Sequence, residues 1–162
     1  MQRTTVRLPD ALLEDAKRRV RFTDMSAVVI DSSALLAILF DEPEATPMVH
    51  ALEATRERYV VAPTLAEAGM VVFACLGADS ELARDALLQR LSARIIAMTP
   101  AAATATATAA RVAFRRYGKG VGTPAVLNFG DCLCYGVARS MRLPVLCKGD
   151  DFPQTDLALL PY

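Results

Sequence analysis

The sequence predicts an α/β fold, with a central, mostly parallel sheet of four to five strands flanked by helices. Short apolar runs alternate along the chain with longer segments that show helical periodicity. Such alternation indicates βα units, in which parallel strands are joined by helical crossovers. The chain has 162 residues, of which 53% are hydrophobic and 22% charged, which suffices for one domain with a buried core and a small appendage.

The predicted strands are short and mostly apolar, as is typical of strands that are buried on both faces of a sheet. They cover residues 28–30, 59–62, 94–97 and 145–147, with 157–160 as an optional fifth.

The segments between these strands are predicted as helices from their periodicity and their first-turn residues. Pro63 and Pro100 stand at helix starts, where proline is favoured because its missing N–H is not needed. The glycine-rich segment 118–124 is predicted as a flexible loop. The predicted helices cover residues 32–40, 44–58, 63–76, 80–91, 100–117 and 128–139.

Residues 1–24 differ from the main domain, which we place at residues 25–162. Residues 3–8 alternate like a strand, and residues 11–21 have the periodicity of an amphipathic helix. This piece is too small to bury its own apolar face.

Composition and charge exclude several classes of protein. Lys and Arg together number 18, as do Asp and Glu, so a strongly basic nucleic-acid binder is excluded, although a local basic patch is not. We expect no membrane-spanning segment, because no apolar run looks long enough, and no signal peptide, because the first residues are polar and charged. The lone His50 is interpreted as a solvated helix residue, which argues against Ser-His-Asp catalysis and a histidine-rich zinc site. The cysteines are interpreted as core residues of a protein in a reducing cytoplasm: Cys75, Cys132, Cys134 and Cys147.

Acidic residues follow three of the predicted strands, and another stands at a helix start. The carboxyl ends of parallel strands meet at one edge of a sheet, where ligands bind. Carboxylates gathered there cannot all remain ionised without a cation between them, and hard oxygen ligands suit Mg²⁺ or Mn²⁺. The acids are Asp31, Glu67, Asp131, Asp150 and Asp151.

Each acid also has a purely structural interpretation. Asp31 could cap the following helix, and Glu67 could form a capping box with Thr64. Asp131 lies in a first helical turn, where the helix dipole favours an anion, and the Asp150 pair could belong to an ordinary turn. Because Asp31 and Asp131 stand in apolar surroundings, where an unpaired charge is costly, the joint pattern favours a shared cation.

The motifs around these acids resemble the PIN-domain ribonucleases, and most closely the VapC toxins of bacterial toxin–antitoxin pairs. The resemblance covers residues 26–162. It is carried by Val-Val-Ile-Asp31-Ser-Ser-Ala-Leu, Ala66-Glu67, Leu-Asn128-Phe-Gly-Asp131-Cys-Leu-Cys-Tyr, Leu-Cys-Lys148-Gly-Asp150-Asp151-Phe and Thr155-Asp156.

The resemblance implies a PIN-like three-layer sandwich and a Mg²⁺- or Mn²⁺-dependent endoribonuclease that leaves a 5′-phosphate and a 3′-hydroxyl. It also implies a cognate VapB-type antitoxin, a homodimer, no membrane association and a cytoplasmic location. Ser33 would orient a carboxylate or a water, and Asn128 would support the site. The implied acidic core is Asp31, Glu67, Asp131 and Asp151, with Asp150 competing for the fourth place.

An RNA substrate needs positive charge around this acidic well. Basic residues that could contact RNA phosphates cluster just before the glycine-rich segment. The alternative interpretation is that they are solvated residues at a helix C-terminus, where the helix dipole favours cations. They are Arg111, Arg115, Arg116 and Lys119.

Residues 3–21 resemble the strand and first helix of a VapB-type ribbon–helix–helix antitoxin, without its second helix. We interpret the segment as a remnant of an upstream antitoxin frame, a fusion, or the result of a start placed before a true start at Met25.

The competing hypothesis is a non-catalytic α/β module that binds a partner or accepts a phosphoryl group on Asp31, as a receiver domain does. Lys148 could serve a receiver, but the acidic pair that such a site needs is not suitably placed. A phosphatase of the DxD type would need an acid at position 33, where Ser33 stands.

Overall fold

Four parallel strands form the sheet of the computed structural model, which describes residues 26–96 and 100–162. Their spatial order is β3-β2-β1-β4. The central strand β1 pairs with β2 on one side and β4 on the other, and all its residues are buried. The predicted parallel sheet is thus confirmed, whereas the predicted segment 1–24 lies outside the described residues. The strands are β1 (Ala27–Ile30), β2 (Glu57–Val60), β3 (Arg94–Ile95) and β4 (Val145–Leu146).

Six α-helices lie in the described part of the chain, close to where the sequence predicts them. Two short 3₁₀ helices, Gly77–Asp79 and Phe152–Gln154, complete the described elements. The helices are α1 (Ser32–Leu39), α2 (Ala45–Glu53), α3 (Ala62–Leu76), α4 (Ser80–Arg90), α5 (Pro100–Tyr117) and α6 (Phe129–Met141).

The core has two parts, one on each face of the sheet. Alternate residues of β1 point to opposite faces. Val29 belongs to a buried cluster with residues of α5 and α6, such as Ala113 and Val137. Val28 belongs to a second buried cluster, with residues of α1 and α2 such as Leu35. Helices therefore cover both faces, which gives the expected three-layer sandwich.

Strand β2 lies two residues earlier than predicted, and α2 ends earlier than expected. Val61 has extended backbone angles and is the N-cap of α3, so it is outside the strand. The polar residue Arg58 fits inside β2 because its guanidinium donates to three backbone carbonyls. These belong to Leu52 (2.7 Å), Thr55 (2.9 Å) and Leu91 (3.1 Å). The strand thus contains a polar anchor that an apolar pattern does not reveal.

The segment 118–124 contains no helix or strand, as predicted for a loop, and it consists of hydrogen-bonded turns. The N–H groups of Val121 and Gly122 both donate to the Gly118 carbonyl, at 3.1 and 2.8 Å. The N–H of Thr123 reaches back to the Arg116 carbonyl at 3.0 Å. Backbone bonds within the segment therefore fix its path.

Two smaller expectations also change. The optional fifth strand is only an isolated parallel bridge between Val145 and Leu159, next to β4. Cys75 is exposed on α3, so its assignment to the core is wrong, whereas the other three cysteines are buried as predicted.

One stretch of the described residues, Ala62–Arg90, is long and apolar enough to cross a bilayer by length and composition alone, so the expectation that no stretch reaches that length is wrong. Its most apolar 18-residue window has a mean hydropathy of 1.2 and is 17% buried. The stretch is divided by the 3₁₀ helix at Gly77, whose φ of +60° favours glycine. Its first part, α3, packs against α1, α4 and α6 while leaving apolar side chains exposed.

Candidate active site

Asp31 is the first residue after β1 and is only 3% exposed. It is the N-cap of α1, where its Oδ2 accepts from the backbone N–H of Ser33 at 3.0 Å and from the Ser33 hydroxyl at 2.7 Å. The capping interpretation of Asp31 is therefore correct. Both of these bonds go to Oδ2, and the Cys134 thiol is a further hydrogen-bond partner of the same carboxylate.

Ser33 connects the carboxyl ends of two neighbouring strands. Its Oγ donates to Asp31 and accepts from the backbone N–H of Lys148, the second residue after β4, at 2.9 Å. The N–H of Asp31 also donates to the Leu146 carbonyl at 2.9 Å. These bonds fix the orientation of the Asp31 carboxylate, which is the kind of support expected of Ser33.

Glu67 lies on α3 and faces the amino end of α6. Its Oε2 accepts from the hydroxyl of Ser32 at 2.9 Å. A Cβ atom built on Gly130 would lie 2.8 Å from the same Oε2, so this glycine leaves room for the carboxylate. The N-cap of α3 is Val61, with no side-chain cap, so a capping box between Thr64 and Glu67 is not formed.

Asp131 sits in the first turn of α6 and is 8% exposed. It forms a capping box with Asn128: the Asn128 N–H donates to Asp131 Oδ2 at 2.6 Å, and the Asp131 N–H donates to Asn128 Oδ1 at 2.9 Å. Burial is the main cause that raises the pKa of Asp131 to about 6. The hydrogen bond from the Asn128 N–H lowers this pKa, and the negative charges of three other acids raise it. Those acids are Asp31, Asp151 and Glu67.

Asp151 and Asp150 differ in their surroundings. The charge of Asp151 acts on Asp131, and its Oδ2 lies 3.4 Å from the Nζ of Lys119. Asp150 is exposed, and its backbone carbonyl accepts from the Gln154 side chain at 2.9 Å. Asp151 therefore lies with Asp31, Glu67 and Asp131 beside the carboxyl ends of the strands, and we call these four residues the acidic edge of the sheet.

Four carboxylates from α1, α3, α6 and the segment after β4 thus share one electrostatic environment, without being closed around a cation. Among residues 26–96 and 100–162, no three His, Cys, Asp or Glu side chains have the arrangement of a ready-made metal site. Hydrogen bonds to Ser32, Ser33 and Asn128 hold three of them in their present rotamers. Binding of a divalent ion would need these side chains to turn towards one another.

Three buried cysteines lie beside the acids. Burial, followed by the negative charges of Asp31 and Asp131, raises the pKa of Cys147 to about 12. Burial likewise raises the pKa of Cys134, and it raises that of Cys132 to about 11. All three thiols therefore remain protonated at neutral pH, and oxygen atoms are the available ligands.

The predicted basic residues have different roles. Arg111 and Arg115 are exposed on α5. Arg116 binds Asp156 at 3.1 Å and lies 4.9 Å above the ring centre of Tyr117. Lys119 is thus the basic residue of this group that contacts an acid of the candidate site.

Three features of this edge escape prediction from sequence. Ser32 donates a hydrogen bond to Glu67, and Gly130 leaves room for the Glu67 carboxylate. Both residues lie inside the motifs quoted above, but their contact with Glu67 is not visible in the sequence. Lys148 pairs with Glu42 and lies 3.0 Å from Glu44, away from Asp31. A receiver site would need that lysine at Asp31, so the pairing removes the main support for that alternative.

Comparisons with known proteins identify relatives over most of the chain. The PIN domain family matches residues 28–157. Ribonuclease VapC30 of Mycobacterium tuberculosis is 40% identical over 131 residues, which are 81% of this chain and 96% of that protein. Ribonuclease VapC of Mycolicibacterium smegmatis is 38% identical, over 81% of this chain and 98% of that protein.

Solved structures resemble the fold at much lower sequence identity. One is VapBC2 from Rickettsia felis bound to a promoter DNA fragment, with a TM-score of 0.62 and 11% identity over 83% of this chain and 97% of that one. Another is Mycobacterium tuberculosis VapC20, described as a toxin that cleaves the sarcin–ricin loop, with a TM-score of 0.59 and 15% identity over 83% and 99%.

Proposed function

The chain belongs to the PIN-domain family and, within it, to the VapC ribonucleases, and we propose that it cleaves RNA at the acidic edge of its sheet. In this proposal it is the toxin of a type II toxin–antitoxin system and a metal-dependent endoribonuclease. The observation that carries the proposal is the gathering of four carboxylates: Asp131, only 8% exposed, lies where the negative charges of Asp31, Asp151 and Glu67 act on it. Negative charge concentrated in this way favours a divalent cation among the acids.

The residues present fit Mg²⁺ or Mn²⁺. The donors are carboxylate oxygens, which these hard cations prefer, and the three neighbouring thiols stay protonated. Gly130 leaves open the space into which the Glu67 carboxylate extends. The proposed ligands are Asp31, Glu67, Asp131 and Asp151, with Asp150 outside the set.

A bound divalent ion would lower the pKa of a water and shield the charge of the phosphodiester. The chain positions the ligands for that chemistry. Ser33 orients Asp31 from the end of β1, Asn128 fixes Asp131 at the start of α6, and Ser32 holds Glu67 between them. In-line attack of a water on phosphorus, with the 3′ oxygen as the leaving group, would give a 5′-phosphate and a 3′-hydroxyl.

We expect purified protein to cleave RNA with Mg²⁺ or Mn²⁺ and to lose this activity in EDTA. Asp151→Asn should lower the rate by at least about tenfold, since it removes a proposed ligand, whereas Asp150→Asn should stay within about threefold of wild type. Gel analysis of a labelled RNA measures both rates. Cleavage in EDTA at the rate seen with metal would refute the proposal, and equal losses in the two variants would refute the choice of Asp151.

The proposed partners are an RNA substrate and a VapB-type antitoxin that blocks the acidic edge, both in the cytoplasm and away from membranes. Arg111 and Arg115 are exposed on α5 and available for phosphates, whereas Arg116 is engaged by Asp156. Lys119 stands closest to the acids.

We also propose a homodimer formed through α3. Met70 and Phe73 are three residues apart on one face of this helix and are 72% and 63% exposed. Exposed apolar patches of this kind mark interaction surfaces. Sedimentation should give twice the chain mass of 17.4 kDa. Phe73→Glu should give a monomer, and Met141→Glu on α6 should not; a monomeric wild type, or a dimer that survives Phe73→Glu, would contradict the proposal.

For residues 1–24 we propose an antitoxin-like appendage that the PIN domain does not need. The family match begins at residue 28, which agrees with a start at Met25. A protein expressed from Met25 should fold and cleave RNA at the wild-type rate. Loss of cooperative unfolding in this shortened form would disprove the idea.

A further inference from the structure

We propose that Lys119 is an exchangeable counter-ion of the active site. Its ammonium pairs with Asp151 while no divalent ion is bound, and it contacts a backbone phosphate of the RNA once such an ion binds. This inference rests on the proposed nuclease function and adds a substrate-binding residue to it.

The first support is the position of the Lys119 side chain. Its Nζ lies 3.4 Å from Oδ2 of Asp151, in a pair whose side chains are 56% and 45% exposed. Asp151 in turn acts electrostatically on the buried Asp131. The ammonium is therefore the positive charge placed beside the carboxylates where the divalent ion would bind.

The second support is the backbone of Lys119, which is tied to the helix that carries Asp131. The Lys119 N–H donates to the carbonyl of Leu127 at 2.8 Å, and Gly118 and Leu127 form a parallel bridge. The residue after Leu127 is Asn128, the N-cap of α6 and the capping partner of Asp131. The Cα of Lys119 thus has a fixed place near the site, and only its side chain has to move.

The third support is the turn that produces this placement, which depends on two glycines. A Cβ on Gly118 would lie 2.4 Å from the Phe114 carbonyl oxygen, and one on Gly122 would lie 2.5 Å from the Arg116 carbonyl oxygen. Both carbonyl oxygens belong to the backbone of α5, which can shift only at a high energetic cost. The turn around Lys119 therefore requires glycine at both positions.

The other nearby cations are less free to exchange partners. Lys148 is held by Glu42 and Glu44, and Arg116 by Asp156 and the Tyr117 ring. Lys119 has a single exposed ion pair, and such pairs contribute little to stability. A divalent ion beside Asp151 would repel the ammonium, and an RNA phosphate is the anion then within its reach.

The test measures the affinity of the full chain for Mn²⁺, which is obtained from the electron paramagnetic resonance signal of the unbound ion. We compare wild type with Lys119→Gln, with Arg56→Gln and with Asp131→Asn. Arg56 is exposed just before β2, at the opposite edge of the sheet from the acids, so its variant matches the charge change. We expect Lys119→Gln to bind Mn²⁺ about 1.5- to fivefold more tightly than wild type, the range of one exposed ion pair, and Arg56→Gln to remain unchanged.

The outcomes separate this inference from the proposed function. Equal Mn²⁺ affinity in Lys119→Gln and wild type, or weaker affinity in the variant, would overturn the role of Lys119 while leaving the metal site intact. Absence of Mn²⁺ binding to wild type, or binding that Asp131→Asn does not weaken, would overturn the metal site and the inference with it.

A second readout addresses the phosphate contact. A single-stranded 2′-O-methyl RNA decamer is titrated at several salt concentrations in the presence of Mn²⁺. One lost phosphate contact should reduce the slope of log affinity against log salt by about 0.7 in Lys119→Gln. The same slope in Lys119→Gln and wild type would refute the phosphate contact.

Discussion

Asp131→Asn is expected to abolish RNA cleavage and at the same time to stabilise the metal-free protein. The rate should fall on the order of 10³-fold, since a lost ligand removes several kcal/mol of stabilisation from the transition state. The free energy of unfolding should rise by about 1–2 kcal/mol, because the buried carboxylate, whose pKa is raised from 3.8 to about 6, is replaced by a neutral amide. An Asn side chain can still accept from the Asn128 N–H, so the cap is retained.

The increase in stability of Asp131→Asn over wild type should itself depend on pH, in a direction that follows from the raised pKa of Asp131. The folded state binds the Asp131 proton more tightly than the unfolded state, so ionisation destabilises the wild type as pH rises through the interval from about 4 to 6. The difference in Tm between Asp131→Asn and wild type should therefore be small at pH 4 and reach its full size above pH 6. Glu53→Gln, on the exposed side of α2, serves as the charge control. A lower Tm for Asp131→Asn at pH 7 would contradict this account.

Gly130→Ala is expected to reduce cleavage by about 10- to 100-fold with little change in stability. The new methyl group would lie 2.8 Å from Oε2 of Glu67, which is the mobile end of a side chain and can turn away. Displacing one ligand by about 1 Å can cost such a factor in rate, whereas alanine itself favours the helix. Single-turnover cleavage and thermal unfolding measure the two effects.

The matched control for this variant is Gly136→Ala on the same helix. Its methyl group would lie 2.6 Å from the backbone carbonyl of Thr106 on α5, so α5 and α6 would have to move apart. We expect a loss of about 1–3 kcal/mol in stability, with normal cleavage by the folded fraction. If Gly130→Ala behaved like Gly136→Ala, its effect would be a packing defect, and the argument for Glu67 as a ligand would lose its support.

The sequence predicts the sheet and its acidic edge because the information is local. The apolar run before Asp31 makes a strand that is buried from both faces, and its position fixes where the acid falls. The Asn128–Asp131 spacing likewise predicts a helix start, which the structure forms as a capping box.

The features that sequence analysis misses depend on contacts between distant segments. Arg58 is accommodated in β2 because backbone carbonyls at the ends of other elements accept hydrogen bonds from its guanidinium. Ser32 and Glu67, which are 35 positions apart, meet only after folding. The turn around Lys119 is ordered by bonds to Arg116 and Leu127, which glycine content alone does not indicate.

The central claim is that carboxylates from separate elements turn towards one shared divalent ion. Anomalous diffraction from crystals grown with Mn²⁺ tests it most directly. We predict one peak at the acidic edge, with oxygens of Asp31 and Asp131 at about 2.1 Å and Glu67 or Asp151 close by. A well-ordered edge without a peak, with each carboxylate still on its present hydrogen-bond partners at millimolar Mn²⁺, would contradict the account.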